Sequence, residues 1–358
     1  MGKDKKNDKK KDKNKLPFVS ICTPTFNRRP FVPFMIKCFE HQDYPKDKIE
    51  WIIVDDGTDK IEDLVTHIPQ VKYYKFNEKM TLGKKRNVAH EKCSGDIIIY
   101  MDDDDYYPPE RISHAVKILK ENPNALCAGS SEMYIYFKHI QKMYKFGPYG
   151  PNHSTAATFA FRKELLNQTS FDNNASVAEE KHFLKNYTIP FVQLDSLKSI
   201  LVFSHTHNSY DKKDLLLNPN PTINISDKTV DDFVKNEDIK KFFLHDIDEL
   251  LAQYEPGRPE HKPDVTKQIN QIKERREEII KMETIKRENY NLMMNNLNNN
   301  QHNCNTQLYE SKITDLTLTI NELNMENKLL NDKVKYLENK IKELIHNEIE
   351  RKKYNYVT

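Results

Sequence analysis

Four consecutive carboxylates, Asp102-Asp103-Asp104-Asp105, follow the apolar run Ile97-Ile98-Ile99-Tyr100-Met101. Adjacent like charges repel, so a fold that keeps four of them at a strand end needs cations to neutralise them. Hard oxygen donors at this density suit Mg²⁺ or Mn²⁺, ions that commonly bridge to phosphate. An acidic turn open to water reads the same way in isolation, and the other strand ends bear on the choice. Val19-Ser20-Ile21-Cys22 runs into Thr23-Pro24-Thr25-Phe26-Asn27, and Trp51-Ile52-Ile53-Val54 runs into Asp55-Asp56-Gly57-Thr58. Thr25 and Asn27, Asp55 and Asp56, and the four aspartates are thus three polar sets, each delivered at the end of a strand. Arg86, within Gly83-Lys84-Lys85-Arg86-Asn87, could neutralise a diphosphate through paired hydrogen bonds beside such a metal site.

The elements that must position these groups alternate. A helix over about 30–41, with Phe31, Phe34, Met35 and Cys38 at helical spacing, separates the first two strands. A further helix, a short strand at 71–76 and a helix at 82–93 lead to the Ile97 strand. This βαβα rhythm predicts an α/β fold, a mostly parallel sheet flanked by helices on both faces. Ligands in such sheets gather at the carboxyl ends of the strands. The chain has only eight glycines, and Gly57, Gly83 and Gly95 all stand beside these segments, where close backbone approach is expected. Neither GxGxxG nor GxxxxGK[ST] occurs, which argues against a dinucleotide fold and a P-loop kinase.

A length of 358 residues predicts a core domain with an appendage. Lys+Arg 56 against Asp+Glu 54 gives a net charge of +2, which singles out no class of partner. Residues 1–15 hold eight Lys and three Asp and read as a disordered, Lys-rich arm. No run is long enough to span a bilayer and no signal peptide is recognisable, so no integral membrane segment is expected. The five cysteines lack CxxC spacing, which predicts a reduced compartment, a cytoplasmic location and no zinc site.

From about residue 18 to 209 the chain resembles a family 2 glycosyltransferase of the GT-A nucleotide-diphospho-sugar transferase fold. Pro24-Thr25-Phe26-Asn27-Arg28 is similar to the nucleotide pocket after the first strand. Val54-Asp55-Asp56-Gly57-Thr58-Asp59 resembles the segment whose Asp hydrogen-bonds uracil and ribose. Gly83 through Asn87 is similar to the Arg-Asn element near the base and diphosphate. Tyr100 through Asp105 resembles the metal-binding DxD segment. The resemblance implies donor binding by Pro24, Thr25, Asn27, Asp55, Asp56, Gly83, Arg86, Asn87, Asp102 and Asp103. Two DxD registers fit, Asp102/Asp104 and Asp103/Asp105. The family pattern favours the first, with Asp104 as direct ligand of Mn²⁺ or Mg²⁺. It also implies an inverting reaction whose general base lies in Ala178-Glu179-Glu180-Lys181, with Glu180 at the base position and Glu where Asp is commoner. The loop Gly147 through His153 resembles one that shapes the acceptor pocket. His205-Thr206-His207 resembles a late segment that completes the metal site, with His207 as the ligand. The Lys- and Asn-heavy composition is that of an AT-rich genome and is similar to cytosolic family 2 enzymes of large DNA viruses.

The catalytic domain is expected over 16–210, with an amphipathic helical extension over 211–257 packing on it. Pro256, Pro259 and Pro263 predict a boundary, followed by a charged helix and Asn-rich linker over 258–310. Residues 311–347 carry heptads: Ile313, Ile320, Asn327, Val334 and Ile341 at a, with Leu316, Leu323, Leu330, Leu337 and Leu344 at d. β-branched residues at a, Leu at d and one Asn at a predict a parallel dimeric coiled coil, a homodimer through 313–344. The region upstream is Asn-rich and mixed in charge rather than a continuous basic helix, which argues against DNA binding. The function expected is metal-dependent transfer of a sugar from a nucleotide-sugar, a UDP-sugar by preference, to a hydroxyl acceptor on a protein or glycan. A catalytically inactive GT-A-like domain serving as a coiled-coil scaffold is the alternative. A sugar nucleotidyltransferase fits less well, because Thr23-Pro24-Thr25-Phe26 lacks the glycine-rich loop it would need.

Overall fold

The computed structural model describes residues 16–217, 221–300 and 306–354. The Lys-rich arm over 1–15 lies outside the described residues, as do 301–305 of the Asn-rich stretch. The principal sheet has seven strands in the order β3-β2-β1-β4-β8-β5-β9. These are β1 (Val19–Thr25), β2 (Ile49–Asp55), β3 (Val71–Lys75), β4 (Ile97–Tyr100), β5 (Cys127–Gly129), β8 (Ala160–Arg162) and β9 (Phe191–Gln193). β3, β2, β1 and β4 are parallel, whereas β8 runs antiparallel to both β4 and β5. The result is the α/β, mostly parallel sheet that the sequence predicts.

β1 and β2 are buried along their whole length, which is why they read as continuous apolar runs rather than alternating ones. Successive side chains serve opposite faces. Val19, Ile21, Trp51, Ile53, Ile97 and Ile99 face one core with the helix Val32–Glu40. Cys22, Ile52, Val54, Ile98 and Tyr100 face a second core with Ala89, Phe161, Phe171 and Phe183. A smaller sheet, β10-β6-β7-β11, was not anticipated from the sequence. It contains β6 (Met133–Phe137), β7 (Lys142–Phe146), β10 (Leu201–Ser204) and β11 (Ile223–Ile225).

Within the helical extension expected over 211–257, the helical part is broken into Val230–Phe233, Glu237–Lys241, a π turn at Phe242–Asp246 and Ile247–Ala252. Two N-caps cause the break. Thr229 and Asp232 form a capping box, and the Asn236 side chain accepts the Ile239 N–H to start a new helix. Its apolar face still buries: Phe242 stacks on Phe34 with ring centroids 3.5 Å apart, and Phe243 on Phe203 at 4.5 Å.

The prolines do not end the first compact unit, which continues through Arg275; the second unit is Arg276–Thr358. Helices cover Pro263–Asn300 and Thr306–Tyr354. The Asn-rich stretch is therefore helical through Asn300, because i→i−4 hydrogen bonding of the backbone continues over side chains that only disfavour helix weakly.

Candidate active site

Register brings the polar strand ends together. Thr25 lies opposite Asp55 across β1 and β2, and Cys22 lies opposite Tyr100 across β1 and β4. Sequence order reverses at β1, flanked by β2 and β4, so Asn27, Asp56 and Asp102–Asp105 emerge on one edge at a topological switch point.

Two of the polar sets are held as framework. Asp55 accepts from the Gly57 N–H at 2.8 Å, the Ile61 N–H at 3.1 Å and the Tyr73 hydroxyl at 2.6 Å. Asp56 accepts from the Met80 N–H at 2.6 Å and pairs with the buried Lys85 ammonium. Lys85 in turn donates to the Thr25 carbonyl at 2.9 Å. Asn27 adopts a left-handed φ of 53°, a conformation Asn tolerates, and accepts from the Asp59 N–H at 2.9 Å. Asn87 clasps the loop before the glutamates, donating to Phe171 O at 2.9 Å and accepting from its N–H at 3.0 Å. Gly83 permits that loop to pass, since a Cβ there would stand 2.0 Å from Asp172 O.

The four-aspartate run is different. Asp102 Oδ1 and Asp105 Oδ1 are buried with no hydrogen-bond partner. Burial first, and then neighbouring carboxylates, raises the pKa of Asp102 and Asp105, and pushes Asp103 up to about 7. Burial also acts to raise Asp104, but Arg28 and His205 outweigh it and hold this carboxyl well below its usual range. Arg28 lies 3.4 Å from Asp103 and 3.2 Å from Asp104.

His205 Nε2 lies 3.3 Å from Asp104 Oδ2, while burial holds the ring's pKa down at about 3 and hence keeps it neutral. His207, expected at the metal, has its Nε2 2.7 Å from Tyr254 O; His205, although its Nε2 also lies 2.8 Å from Asn208 Nδ2, is the ring beside Asp104. The imidazole facing the acidic run is His205, the first residue past β10.

Among the described residues no three His, Cys, Asp or Glu side chains form a preformed metal cage. Mg²⁺ is commonly held by one or two carboxylates with substrate phosphates and water completing its shell. The unpartnered Asp102 oxygen and the Asp104–His205 pair fit an ion of that kind.

The helix Leu82–Lys92 carries Arg86 over the face of Tyr100, with the guanidinium 4.3 Å from the ring centroid. Its Nε lies 3.1 Å from Glu179 and its Nη2 3.9 Å from Asp102, while Nη1 is buried without a partner. Ala178 just before the glutamates has φ 54°, a strained setting for a residue with a Cβ. The adjacent Glu180 begins a short helix, Glu180–Phe183, and is half-buried. Burial, followed by the Glu179 charge, pushes its carboxyl up to about 7.

Pro24, Phe26, Arg28, Arg86, Asp102, Asp103 and Asp104 line a cavity of about 160 Å³, together with Lys79, Lys85, Lys262 and Asp264. A larger groove of about 720 Å³ is lined by Pro259, Thr266, Asn270 and Glu274 and holds none of the strand-end groups, so the chemistry belongs to the smaller cavity. Thr25, Asn27, Asp55, Asp56, Gly83 and Asn87 stand behind its lining. Sequence reading overlooked Arg28, Lys85, His205 and Lys262. For Lys85 a signal existed: it follows Leu82 by three residues and precedes Ala89 by four, which puts it on the helix's inward face.

The Glycosyl transferase family 2 profile matches residues 20–176. The poly(ribitol-phosphate) beta-N-acetylglucosaminyltransferase TarS of Staphylococcus aureus is 29% identical over 108 residues, 29% of this chain and 19% of that protein. The GalNAc(5)-diNAcBac-PP-undecaprenol beta-1,3-glucosyltransferase of Campylobacter jejuni is 30% identical over 115 residues, 30% of this chain and 35% of that one. The chain thus matches these relatives over well under half of their length. Among solved structures, S. aureus TarS 1–349 in complex with UDP-GlcNAc superposes with a TM-score of 0.41 at 20% identity, over 52% of this chain and 58% of that one. The mannosyltransferase PcManGT from Pyrobaculum calidifontis in complex with GDP-Man and Mn²⁺ gives 0.44 at 16% identity, over 64% and 71%. Residues 20–176, which supply the acidic strand end and the Arg86 helix, are thus the part of the chain that is similar to the Glycosyl transferase family 2 domain.

Proposed function

We propose that the protein is a metal-dependent inverting glycosyltransferase that moves a sugar from a nucleotide-sugar, a UDP-sugar in our reading, to a hydroxyl on a protein or glycan. The observation that carries this is the place of Arg86: one guanidinium, with an unpartnered Nη1, joins Glu179 to Asp102. A donor diphosphate would take the free face of Arg86. Asp102, Asp104 and His205 would hold Mn²⁺ or Mg²⁺, which supplies positive charge to the departing nucleoside diphosphate. Glu179 is committed to Arg86, which leaves Glu180 to take the acceptor proton as the hydroxyl attacks the anomeric carbon. A pKa near 7 suits that task. The similarity to an N-acetylglucosaminyltransferase and a glucosyltransferase supports transfer of a hexose-type sugar.

The acceptor would enter beside the Gly147–His153 loop. There Tyr149 and His153 rings lie 4.9 Å apart and His153 and Tyr187 rings 5.1 Å apart, an aromatic surface of the sort sugars pack on. Ile313, Leu316, Ile320, Leu323, Leu330, Val334, Leu337, Ile341 and Leu344 are all more than half exposed on one helix, in support of pairing with a second copy through 313–344. The free thiols Cys22, Cys38, Cys93 and Cys127 support a cytoplasmic location. Among the described residues no helix is long and apolar enough to cross a membrane.

The test is a panel of nucleotide-sugars with Mn²⁺, comparing wild type with Asp104→Ala and reading nucleoside diphosphate release and the anomeric configuration of the product. Metal-dependent release from one donor, with inversion and loss in the variant, is the expected result. No release from any donor would leave the scaffold reading in its place.

A further inference from the structure

We propose that Lys262, delivered by the segment 254–268, is a donor-phosphate ligand, so that the sequence after the family 2 domain completes the nucleotide-sugar site. The inference rests on the transferase reading above. The segment is moored on both sides of the cavity. On one side Tyr254 O accepts from His207 Nε2 at 2.7 Å, Pro256 O from Asn27 Nδ2 at 2.8 Å and Gly257 O from Arg28 Nη1 at 3.3 Å. Gly257 lets the strand ends and the segment touch, since a Cβ there would stand 2.7 Å from Asn27 O and 2.9 Å from His207 Cδ2. On the other side Asp264 pairs with Lys79 and accepts from Ser176 Oγ at 2.6 Å, while Gln268 accepts from Ser176 N at 2.8 Å.

Between these moorings Lys262 is only 5% exposed, and it lines the same cavity as Arg28, Arg86 and Asp102–Asp104. Its ammonium donates to Ser209 Oγ at 2.8 Å, and among the described residues no carboxylate lies within ion-pairing distance. An ammonium has three protons to donate and costs free energy when buried without an anion. Burial first, then Arg28 and, more weakly, Lys85, pull its pKa down to about 6 against the opposing charges of Asp104 and Asp103 across the cavity. A phosphate oxygen at this position would satisfy the remaining donors of Lys262 and the free nitrogen of Arg86 together, and would relieve the repulsion between Lys262 and Arg28.

The experiment measures binding of UDP and GDP, and of uridine and guanosine, to the full chain with Mn²⁺, for wild type, Lys262→Met and Lys262→Arg, with melting curves to confirm folding. For whichever nucleotide wild type binds, Lys262→Met is expected to weaken the diphosphate about 10- to 100-fold, leave the nucleoside unchanged, and be largely rescued by Lys262→Arg. Wild type should also take up protons on binding the diphosphate at pH 7, and Lys262→Met should not. Metal-dependent diphosphate binding that is equal in wild type and Lys262→Met would overturn this inference and leave the transferase reading intact. Equal weakening of diphosphate and nucleoside would show a structural role and overturn it as well. Failure of wild type to bind either nucleotide would defeat both.

Discussion

Two acidic strand ends flank β1 on one sheet edge, and they are built in opposite ways. Asp55 and Asp56 have their oxygens occupied by backbone N–H groups, a tyrosine hydroxyl and a buried lysine. Asp102 and Asp105 each keep a buried oxygen with no partner, and Asp104 is balanced only by Arg28 and His205. A carboxylate whose oxygens are all engaged holds the fold together. One left unsatisfied in a buried place costs stability unless a ligand arrives, and such groups cluster where function requires them. The contrast separates framework from chemistry more sharply than proximity alone.

The largest effect expected from breaking the contrast is on turnover. Glu180→Gln should lower kcat by about 10²–10⁴ while nucleotide affinity stays within a few-fold, as steady-state kinetics and a binding isotherm would show. A variant retaining near-wild-type turnover would remove Glu180 from the base role.

Stability should then move in opposite directions at the two strand ends. Asp55→Asn turns one of the two acceptor oxygens, which together receive the Gly57 and Ile61 N–H groups and the Tyr73 hydroxyl, into an NH2 donor and should cost about 1–3 kcal/mol, read as a lower denaturation midpoint. Asp102→Asn removes a half-buried charge that is repelled by Asp104 and has an unpartnered Oδ1, with only a 3.9 Å approach to Arg86 to lose, so its midpoint without metal should equal or exceed that of wild type, while activity with Mn²⁺ is lost. If both variants are destabilised alike, the two ends do not differ in the way their hydrogen bonding implies.

A pH series sharpens the same point. The Glu180 carboxyl is raised to about 7 in the folded chain from an ordinary value of 4.5. Its contribution to stability is therefore fully present below pH 4.5 and lost as the pH rises through 7. Activity, which needs the ionised form, should climb over that interval as stability falls. Glu180→Gln should melt a few degrees higher than wild type at pH 8 and gain nothing at pH 4.

The smallest effect on chemistry is expected far from the sheet. Replacing Leu323 and Leu330 by Asn should convert a dimer to a monomer in sedimentation and leave kcat per chain unchanged. An unaltered sedimentation coefficient would refute pairing through the heptads.

Much of this arrangement is legible in the sequence because it is local. Apolar runs ending in Thr25, Asp55 and Asp102 announce strands and their carboxyl ends, and a parallel sheet then forces those ends together. The heptad period of 313–344 is equally local, and a helix spans that whole stretch. What escaped depends on which distant segment returns. His205 rather than His207 faces Asp104 because Tyr254 O takes the His207 ring. Nothing in a His-x-His spacing encodes that contact. The proline cluster at 256–263 marks a change of direction, which the sequence suggests is a boundary. Hydrogen bonds from Asn27 and Arg28 instead fix that turn against the site. The smaller sheet was missed for a similar reason: its strands are short, and although β6 and β7 form a local hairpin, β10 and β11 join it across some 67 to 81 positions.

The most direct test of the central claim is a thermal melt of the wild-type chain with UDP, GDP and Mn²⁺, singly and in combination. If Asp102 and Asp104 hold a metal that the donor diphosphate also needs, Mn²⁺ and one nucleotide together should raise Tm by more than the sum of their separate effects, and Asp104→Ala should abolish the excess. Additive shifts, or no nucleotide shift with or without metal, would contradict it.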